Sequence, residues 1–149
     1  MNFRKAGLAD IEELCKLRKQ QLKDEGEYSK LNIDQGLYEF FYTKMIDETL
    51  IQWVVEANGL IVATGALLIM DFPPNFFNYS GKRGYITNMY TLDEYRGRGL
   101  AGAILERLLE SAKAAKLTKL MLCASKMGKP VYRKFGFKEL DTWMDMEVK

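Results

Sequence analysis

The stretch that most constrains the fold is "YRGRGLAGAI", residues 95–104, because it joins a strand pattern to a long helix pattern. Residues 85–91 ("YITNMYT") and 117–124 ("LTKLMLCA") are rich in β-formers and predict two strands. Between them, residues 99–115 predict a helix whose apolar side is formed by Leu100, Ala103, Ile104, Leu108 and Ala112. A strand, a helix and a second strand form a βαβ unit over residues 85–124, and its strands should be parallel.

Two helices are predicted before this unit. The first should begin at Asp10, because Asp10 and Glu13 have the spacing of a capping box, and should end near Gly26. The second should run from about Asp34 to Asp47. Its inward side would be formed by Leu37, Phe40, Phe41 and Met45.

The remaining elements are mostly β-structure. Asn58-Gly59 between two β-rich runs predicts a hairpin that pairs 51–57 with 60–70. The Pro, Asn, Ser and Gly content of residues 71–84 predicts a loop. This loop also contains Phe72, Phe76, Phe77 and Tyr79. A short helix at 129–135 and a last strand in "WMDMEV", 143–148, complete the order α, α, β, β, β, α, β, α, β. This order predicts a mixed α/β domain.

Composition limits the classes of function. At 149 residues the chain is long enough for one domain, 1–149. A net charge of +2 gives no support for a nucleic-acid or membrane protein, and the absence of histidine argues against zinc chemistry and a histidine-based triad. We therefore expect no metal. With no signal-peptide pattern and two apolar cysteines without CxxC spacing, Cys15 and Cys123, a cytoplasmic protein is expected.

Two phosphate-binding patterns overlap on the same glycines. Gly97-x-Gly99-x-x-Gly102 has the spacing of a dinucleotide fingerprint, which needs a tight strand-to-helix turn and an acidic residue about 20 positions further on. Here "LDEYR" lengthens the turn, and the region "KLMLCASK" offers no acid. The alternative is Arg96-x-x-Gly99-x-Ala101, in which small residues let the backbone approach a pyrophosphate at a helix start.

This second pattern, together with "VYRKFGF" about thirty residues later, resembles the Gcn5-related N-acetyltransferase (GNAT) family. The resemblance is imperfect where the family often has Asn and Ala before the tyrosine, because those places hold Ser125 and Gly128. It implies a mixed, mostly antiparallel central sheet with a parallel βαβ acyl-CoA-binding unit and helices on both faces. It also implies acetyl-CoA as cofactor and transfer of its acetyl group to a primary amine.

The resemblance assigns roles to particular positions. Amides from Gly97 through Ala101 would hold the pyrophosphate, while Arg96 and Arg98 add positive charge. Met89, Tyr90 and Thr91 would pair with the pantetheine arm, with the Met89 amide as the oxyanion donor. Tyr132 takes the family's general-acid position. The full cofactor set also includes Gly99, Leu100 and Ser125.

Other features leave alternatives open. The carboxylates Glu25, Glu27, Glu39, Glu56 and Asp71 are possible bases, and none is selected. The aromatic loop at 71–84 is interpreted either as a lid over the acceptor or as the contact of a homodimer. The acceptor is expected to be a small molecule. A non-catalytic acyl-CoA sensor and a nicotinamide-dependent enzyme are the competing functions.

Overall fold

The computed structural model describes residues 1–149 and contains five strands and four α-helices. In chain order these are β1 (Asn2–Lys5), α1 (Ile11–Asp24), α2 (Asp34–Ile46), β2 (Leu50–Ala57), β3 (Leu60–Asp71), β4 (Lys82–Thr91), α3 (Leu100–Ala114), β5 (Leu120–Leu122) and α4 (Lys129–Phe135). Short 3₁₀ turns at Leu8–Asp10 and Asp93–Tyr95 precede α1 and α3. None of the helices has the length and apolar character that crossing a membrane requires.

The strands form a single sheet in the order β1-β2-β3-β4-β5. The first three pairs are antiparallel, and β4 and β5 are parallel with α3 as their crossover. The predicted mixed α/β fold and its βαβ unit are therefore confirmed. The hairpin between β2 and β3 is also confirmed: Asn58 and Gly59 have φ angles of 53° and 78°, the left-handed values that a two-residue turn needs.

Helices cover both faces of this sheet, because alternate residues of the central strands point to opposite sides. On one face Val55, Leu67 and Ile86 pack with Ile104 and Leu108 of α3. The other face is covered by α1 and α2, whose buried residues there include Ile11, Leu14 and Phe41. Phe41 is 1% exposed, and the other predicted inward residues of α2 are half-buried.

Two differences between the structure and the predicted strands depend on whether a neighbouring strand is present to pair with. Strand β1 was not predicted, and it forms because its polar residues pair with β2 from Asn2 opposite Glu56 to Lys5 opposite Trp53. The predicted strand at 143–148 is wrong, since residues 138–149 contain no strand or helix and Met144 is 93% exposed. An alternating pattern does not make a strand without a neighbouring strand to receive its hydrogen bonds.

The predicted loop at 71–84 is three residues too long at its end. Residues 82–84 belong to β4, whose partners are Lys82 with Asp71, Arg83 with Met70 and Gly84 with Ile69. A Cβ at Gly84 would lie 2.6 Å from side-chain carbons of both Leu67 and Leu120. This glycine permits close packing within the sheet and does not mark a turn. Conversely, the strand predicted at 117–124 is reduced to β5, Leu120–Leu122.

The capping box predicted at Asp10 and Glu13 is also wrong. The Asp10 carboxylate accepts two hydrogen bonds from the Arg4 guanidinium, each 2.8 Å, and one from the Gly7 amide at 2.8 Å. Arg4 also donates to Glu56 at 2.8 Å, so this group joins β1, β2 and the start of α1. The Arg4 hydrogen bonds are the main cause of the lowered pKa of Asp10.

We predict that Asp10→Asn lowers the free energy of unfolding by about 1–3 kcal/mol, because it removes a charge-assisted pair whose carboxylate is mostly shielded from water. Urea denaturation at pH 7 measures this difference. Glu13→Gln is the matched control: Glu13 makes only an exposed ion pair with Lys16, and its loss should change stability by less than about 0.5 kcal/mol. If Glu13→Gln lowered the free energy of unfolding by more than this, the predicted capping box at Asp10 and Glu13 would be supported after all.

Candidate functional site

The glycine-rich loop leaves its backbone amides free at the start of α3. Gly97 and Gly99 have φ angles of 74° and 76°, in the left-handed region that favours glycine. The amides of residues 97–99 donate to no acceptor within the chain, and no side chain caps α3. The first amides of the helix lack carbonyl partners one turn earlier, and the helix dipole is positive at this end. The loop is therefore suited to binding an anion.

The surroundings of Gly102 separate the two overlapping patterns. In a dinucleotide fingerprint the third glycine permits close packing of helix against strand. A Cβ at Gly102 would meet no atom within 4 Å, so this packing requirement is absent. The loop also contains the 3₁₀ turn Asp93–Tyr95, which is incompatible with a tight strand-to-helix turn. The geometry favours the pattern of Arg96, Gly99 and Ala101.

Arg96 holds the loop against the end of β4. Its Nε donates to the Thr91 carbonyl at 3.0 Å, and its guanidinium pairs with Asp93 at 2.7 Å and with Asp24 at 3.6 Å. Arg98 instead donates to the Glu94 carbonyl at 2.9 Å and lies over the Tyr95 ring. Arg96 is thus engaged within the chain, whereas Arg98 is exposed beside the free amides.

Tyr90 connects β4 to the end of α1, a contact that the sequence did not reveal. Its hydroxyl donates to the Asp24 carboxylate at 2.6 Å, and its ring lies beneath the Arg96 guanidinium. Burial and then the bond to Asp24 raise the pKa of Tyr90 to about 12, and the same bond is the main cause of the lowered pKa of Asp24. No motif relates residues 66 positions apart, so only the fold brings Asp24 to the site.

Strand β4 separates from β5 directly before the loop. The two strands pair only from Gly84 with Leu120 to Ile86 with Leu122, so residues 87–91 have no β5 partner. On its other side β4 pairs Thr87 with Ala66 and Tyr90 with Thr64, which leaves Asn88 and Met89 in a bulge opposite Gly65. Asn88 has a φ of 54°. The result is an open strand edge with a local break in its ladder.

Tyr132 lies on α4, with its ring edge-to-face against Phe137 at 6.0 Å. Its hydroxyl forms no hydrogen bond with the protein, and burial, followed by the charge of Glu25, raises its pKa to about 12. Gly128 makes room for the ring, since a Cβ there would lie 2.8 Å from a Tyr132 ring carbon. Tyr132 is therefore held in the neutral, proton-bearing form.

Ser125 lies before α4 and shapes its start. Its hydroxyl and its carbonyl both accept from the Gly128 amide at 3.1 Å, and its carbonyl also accepts from Lys129. The side chain is thus used within the chain in this structure. A contact between Ser125 and a cofactor stays a prediction.

Of the carboxylates considered as bases, most lie in other interactions. Glu56 pairs with Arg4, Asp71 with Lys82, and Glu39 accepts from Gln35. Glu27 is exposed and forms no ion pair. Glu25 accepts from Gln21, follows α1, and lies close enough to Tyr132 for its charge to raise the pKa of that phenol.

The aromatic loop, residues 72–81, does not pack on this region. Phe76, Phe77 and Tyr79 are 94–105% exposed, while Phe72 lies beneath the Arg83 guanidinium at 4.6 Å. A separate shallow cavity of about 620 Å³ extends from the β2–β3 turn to Arg98, and of the residues considered for the site it is lined by Arg98 and Glu56.

Comparison with known proteins agrees with this geometry. The family model described as "Acetyltransferase (GNAT) family" matches residues 11–137. A glucosamine 6-phosphate N-acetyltransferase from Trypanosoma brucei brucei is 28% identical over 93 residues, which span 62% of this chain and 61% of that relative.

Two solved structures extend the match to nearly the whole chain. A predicted acetyltransferase from Clostridium acetobutylicum, solved with acetyl-CoA, is 44% identical, with a TM-score of 0.95 over 98% of this chain and 95% of that one. A GCN5-related N-acetyltransferase from Ralstonia eutropha, at 24% identity, shares the fold with a TM-score of 0.89 over 99% of this chain and 97% of that one.

We predict that Gly99→Ala weakens binding of acetyl-CoA and costs about 1–2 kcal/mol of stability, because alanine resists the left-handed conformation that aims the loop amides. Thermal denaturation with and without acetyl-CoA measures both effects. In the wild type, acetyl-CoA at 100 times its Kd should add about 2.7 kcal/mol, and NAD should add none.

Gly102→Ala is the control for this experiment. It lies inside α3 with open space for a Cβ, so alanine should stabilise the helix by up to about 1 kcal/mol and leave the acetyl-CoA shift in place. A shift with NAD, or loss of ligand binding only in Gly102→Ala, would contradict the assignment of the loop.

Proposed function

The chain belongs to the acetyltransferase (GNAT) family, and on this premise we propose that residues 1–149 form one N-acetyltransferase domain that transfers the acetyl group of acetyl-CoA to a primary amine. The observation that carries this proposal is the arrangement around β4. Its open edge runs directly into a loop of free amides, and α4 provides a half-buried tyrosine that keeps its proton.

The transfer has three chemical requirements. The neutral amine attacks the carbonyl carbon of the thioester, the C–S bond breaks, and an amide and CoA thiol are formed. An ammonium group loses two protons in this reaction. One is released to solvent, and the other makes up for the proton that the protein gives to the thiolate. The protein must therefore place the thioester, stabilise the oxyanion and supply a proton to sulfur.

The cofactor would lie along residues 87–91. Met89, Tyr90 and Thr91 border the unpaired edge of β4, where an extended pantetheine arm can receive strand-like hydrogen bonds. Met89 lies in the bulge, where the ladder is disrupted, and a backbone N–H released from pairing is the kind of donor that an oxyanion needs. The pyrophosphate would accept from the amides of residues 97–101, with Arg98 beside it.

Tyr132 is proposed as the acid that protonates the leaving thiolate. A phenol whose pKa is raised to about 12 keeps its proton at neutral pH, and this hydroxyl has no competing acceptor within the protein.

The acceptor is proposed to be a small-molecule amine, and the enzyme to act in the cytoplasm without a nucleic acid or membrane partner. A net charge of +2 provides no strong field for a polyanion. The Trypanosoma brucei relative, named for glucosamine 6-phosphate, gives a precedent for a small amine as acceptor.

We also propose that the aromatic loop is the contact of a homodimer. Phe76, Phe77 and Tyr79 bury almost none of their surface within one chain, and aromatic side chains are enriched in protein interfaces. A lid would instead need these rings to lie over the open edge of β4.

We predict that Tyr132→Phe lowers kcat about 100-fold or more while the KM for acetyl-CoA stays the same, because the cofactor is held by backbone amides. Release of thiol in the presence of amines measures this. In the wild type, no loss of rate from deprotonation of Tyr132 should occur up to about pH 10, below its raised pKa.

Tyr79→Phe, which removes a fully exposed hydroxyl, is the matched control and should retain the wild-type rate. If Tyr132→Phe kept the wild-type kcat, a group other than Tyr132 would have to be the proton donor. A wild type that is stabilised by acetyl-CoA yet releases no thiol with any amine would favour the non-catalytic sensor.

For the dimer, we predict that Phe76→Ser with Phe77→Ser converts the protein to a folded monomer, since these rings pack on nothing in their own chain. Light scattering during gel filtration measures the mass. Leu60→Ser, at an exposed apolar position at the start of β3, should leave the dimer intact. A monomeric wild type at micromolar concentration would end this proposal.

A further inference from the structure

One face of α1 contains two opposite charges joined by a buried amide. Arg18, Gln21 and Glu25 follow one another at spacings of three and four residues, which places them on the same side of the helix. The Arg18 Nη1 donates to Gln21 Oε1 at 3.2 Å, and Gln21 Nε2 donates to Glu25 Oε1 at 3.3 Å. Gln21 is only 7% exposed, so this chain of groups is held in place.

Neither end of this chain is neutralised by an ion pair. Arg18 is half-buried and Glu25 is exposed, and neither takes part in any salt bridge of the protein. Some other charges on the same helix are paired, as Lys19 is with Asp34 and Asp24 with Arg96, while Glu12 and Lys23 are exposed and form no ion pair. A half-buried guanidinium that lacks a carboxylate gains more from an anionic ligand than a fully hydrated one does.

This face lies on the side of the sheet that α1 covers, next to β4. The end of α1 is joined to β4 by the bond between Asp24 and Tyr90. Tyr85 and Thr87 alternate with the α3-facing Ile86 and therefore face the α1 side of the sheet. The charges of Arg18 and Glu25 act on two tyrosines of this region. Glu25 raises the pKa of Tyr132, and Arg18 partly offsets the burial that raises the pKa of Tyr85.

We propose that the face of α1 formed by Arg18, Gln21 and Glu25 is the acceptor site, and that it selects small amines that also bear an anionic group. Glu25 binds the ammonium group beside Tyr132, and Arg18 binds a carboxylate or phosphate at the other end. Arg18 and Glu25 lie seven positions apart, a rise of roughly 10 Å between their Cα atoms, which leaves room for an amino acid or an amino sugar phosphate to contact both side chains. This inference rests on the proposed acetyl transfer.

Matched acceptors test this selection. Glucosamine 6-phosphate is compared with glucosamine, and phenylalanine with phenethylamine, so that each pair differs in the anionic group. In the wild type, kcat/KM for the anionic member of at least one pair should be about 10- to 100-fold higher, as expected for a charge-assisted hydrogen-bonded contact. Which pair shows it separates phosphate from carboxylate.

Variants then assign the effect to residues. Arg18→Gln should reduce the anionic-to-neutral ratio of kcat/KM by about 10-fold or more, and Arg18→Lys, which keeps the charge, should retain most of the ratio. Glu25→Gln should lower kcat/KM for both members of a pair and leave their ratio in place. Lys16→Gln removes one positive charge from an exposed position of the same helix and should change neither value.

Calorimetric titration of the same amines into the CoA-bound protein gives a readout that does not depend on turnover. If the anionic members bind more tightly and Arg18→Gln loses this preference, the acceptor site is supported. If no thiol is released in the same samples, only the proposed acetyl transfer has failed. Equal wild-type affinities within both pairs, or an equal loss for both members in folded Arg18→Gln, would overturn the inference.

Discussion

The short pairing of β4 with β5 is the constraint on which the site depends. Three residue pairs hold these parallel strands together, and beyond Ile86 and Leu122 they separate while β4 continues to Thr91 on its pairing with β3. A strand edge without partners usually endangers a protein by inviting aggregation, and here its residues 87–91 are all buried or half-buried. The open edge, the bulge at Asn88 and the free amides before α3 are therefore consecutive along one strand and its exit loop.

The other half of the site is held by polar contacts that cross the fold. Asp24 at the end of α1 accepts from Tyr90, and Arg96 lies against both. These contacts connect the helix that contains Arg18 and Glu25 to the strand and loop that would hold the cofactor. Arg96 thus acts mainly within the protein, because its guanidinium is shared between the Thr91 carbonyl and two carboxylates. This gives a physical reason for arginine at that position that is separate from charge on the phosphates.

Local signals in the sequence were sufficient where the chemistry is local. The turn at Asn58-Gly59 needs two left-handed residues, and the start of α3 needs glycine at the same φ region, so both could be located without the fold. Local signals were insufficient where a residue distant in the sequence determines the role of a side chain. Asp10 has the spacing of a helix cap but is drawn to Arg4 of an unpredicted strand, and Gly84 resembles a turn residue but lies under Leu67 and Leu120.

The sequence by itself determined the order of the elements from α1 to α4 and the glycine-rich loop, because each follows from spacing along one segment, while the choice of Tyr132 came from the resemblance to a family. Only the tertiary structure decided that Tyr132 is half-buried within reach of the charge of Glu25, that Asp24 meets Tyr90, and that the alternating segment at 143–148 forms no strand. The reason is that burial, charge proximity and strand pairing are properties of distances between residues far apart in the chain, and no local pattern specifies those distances.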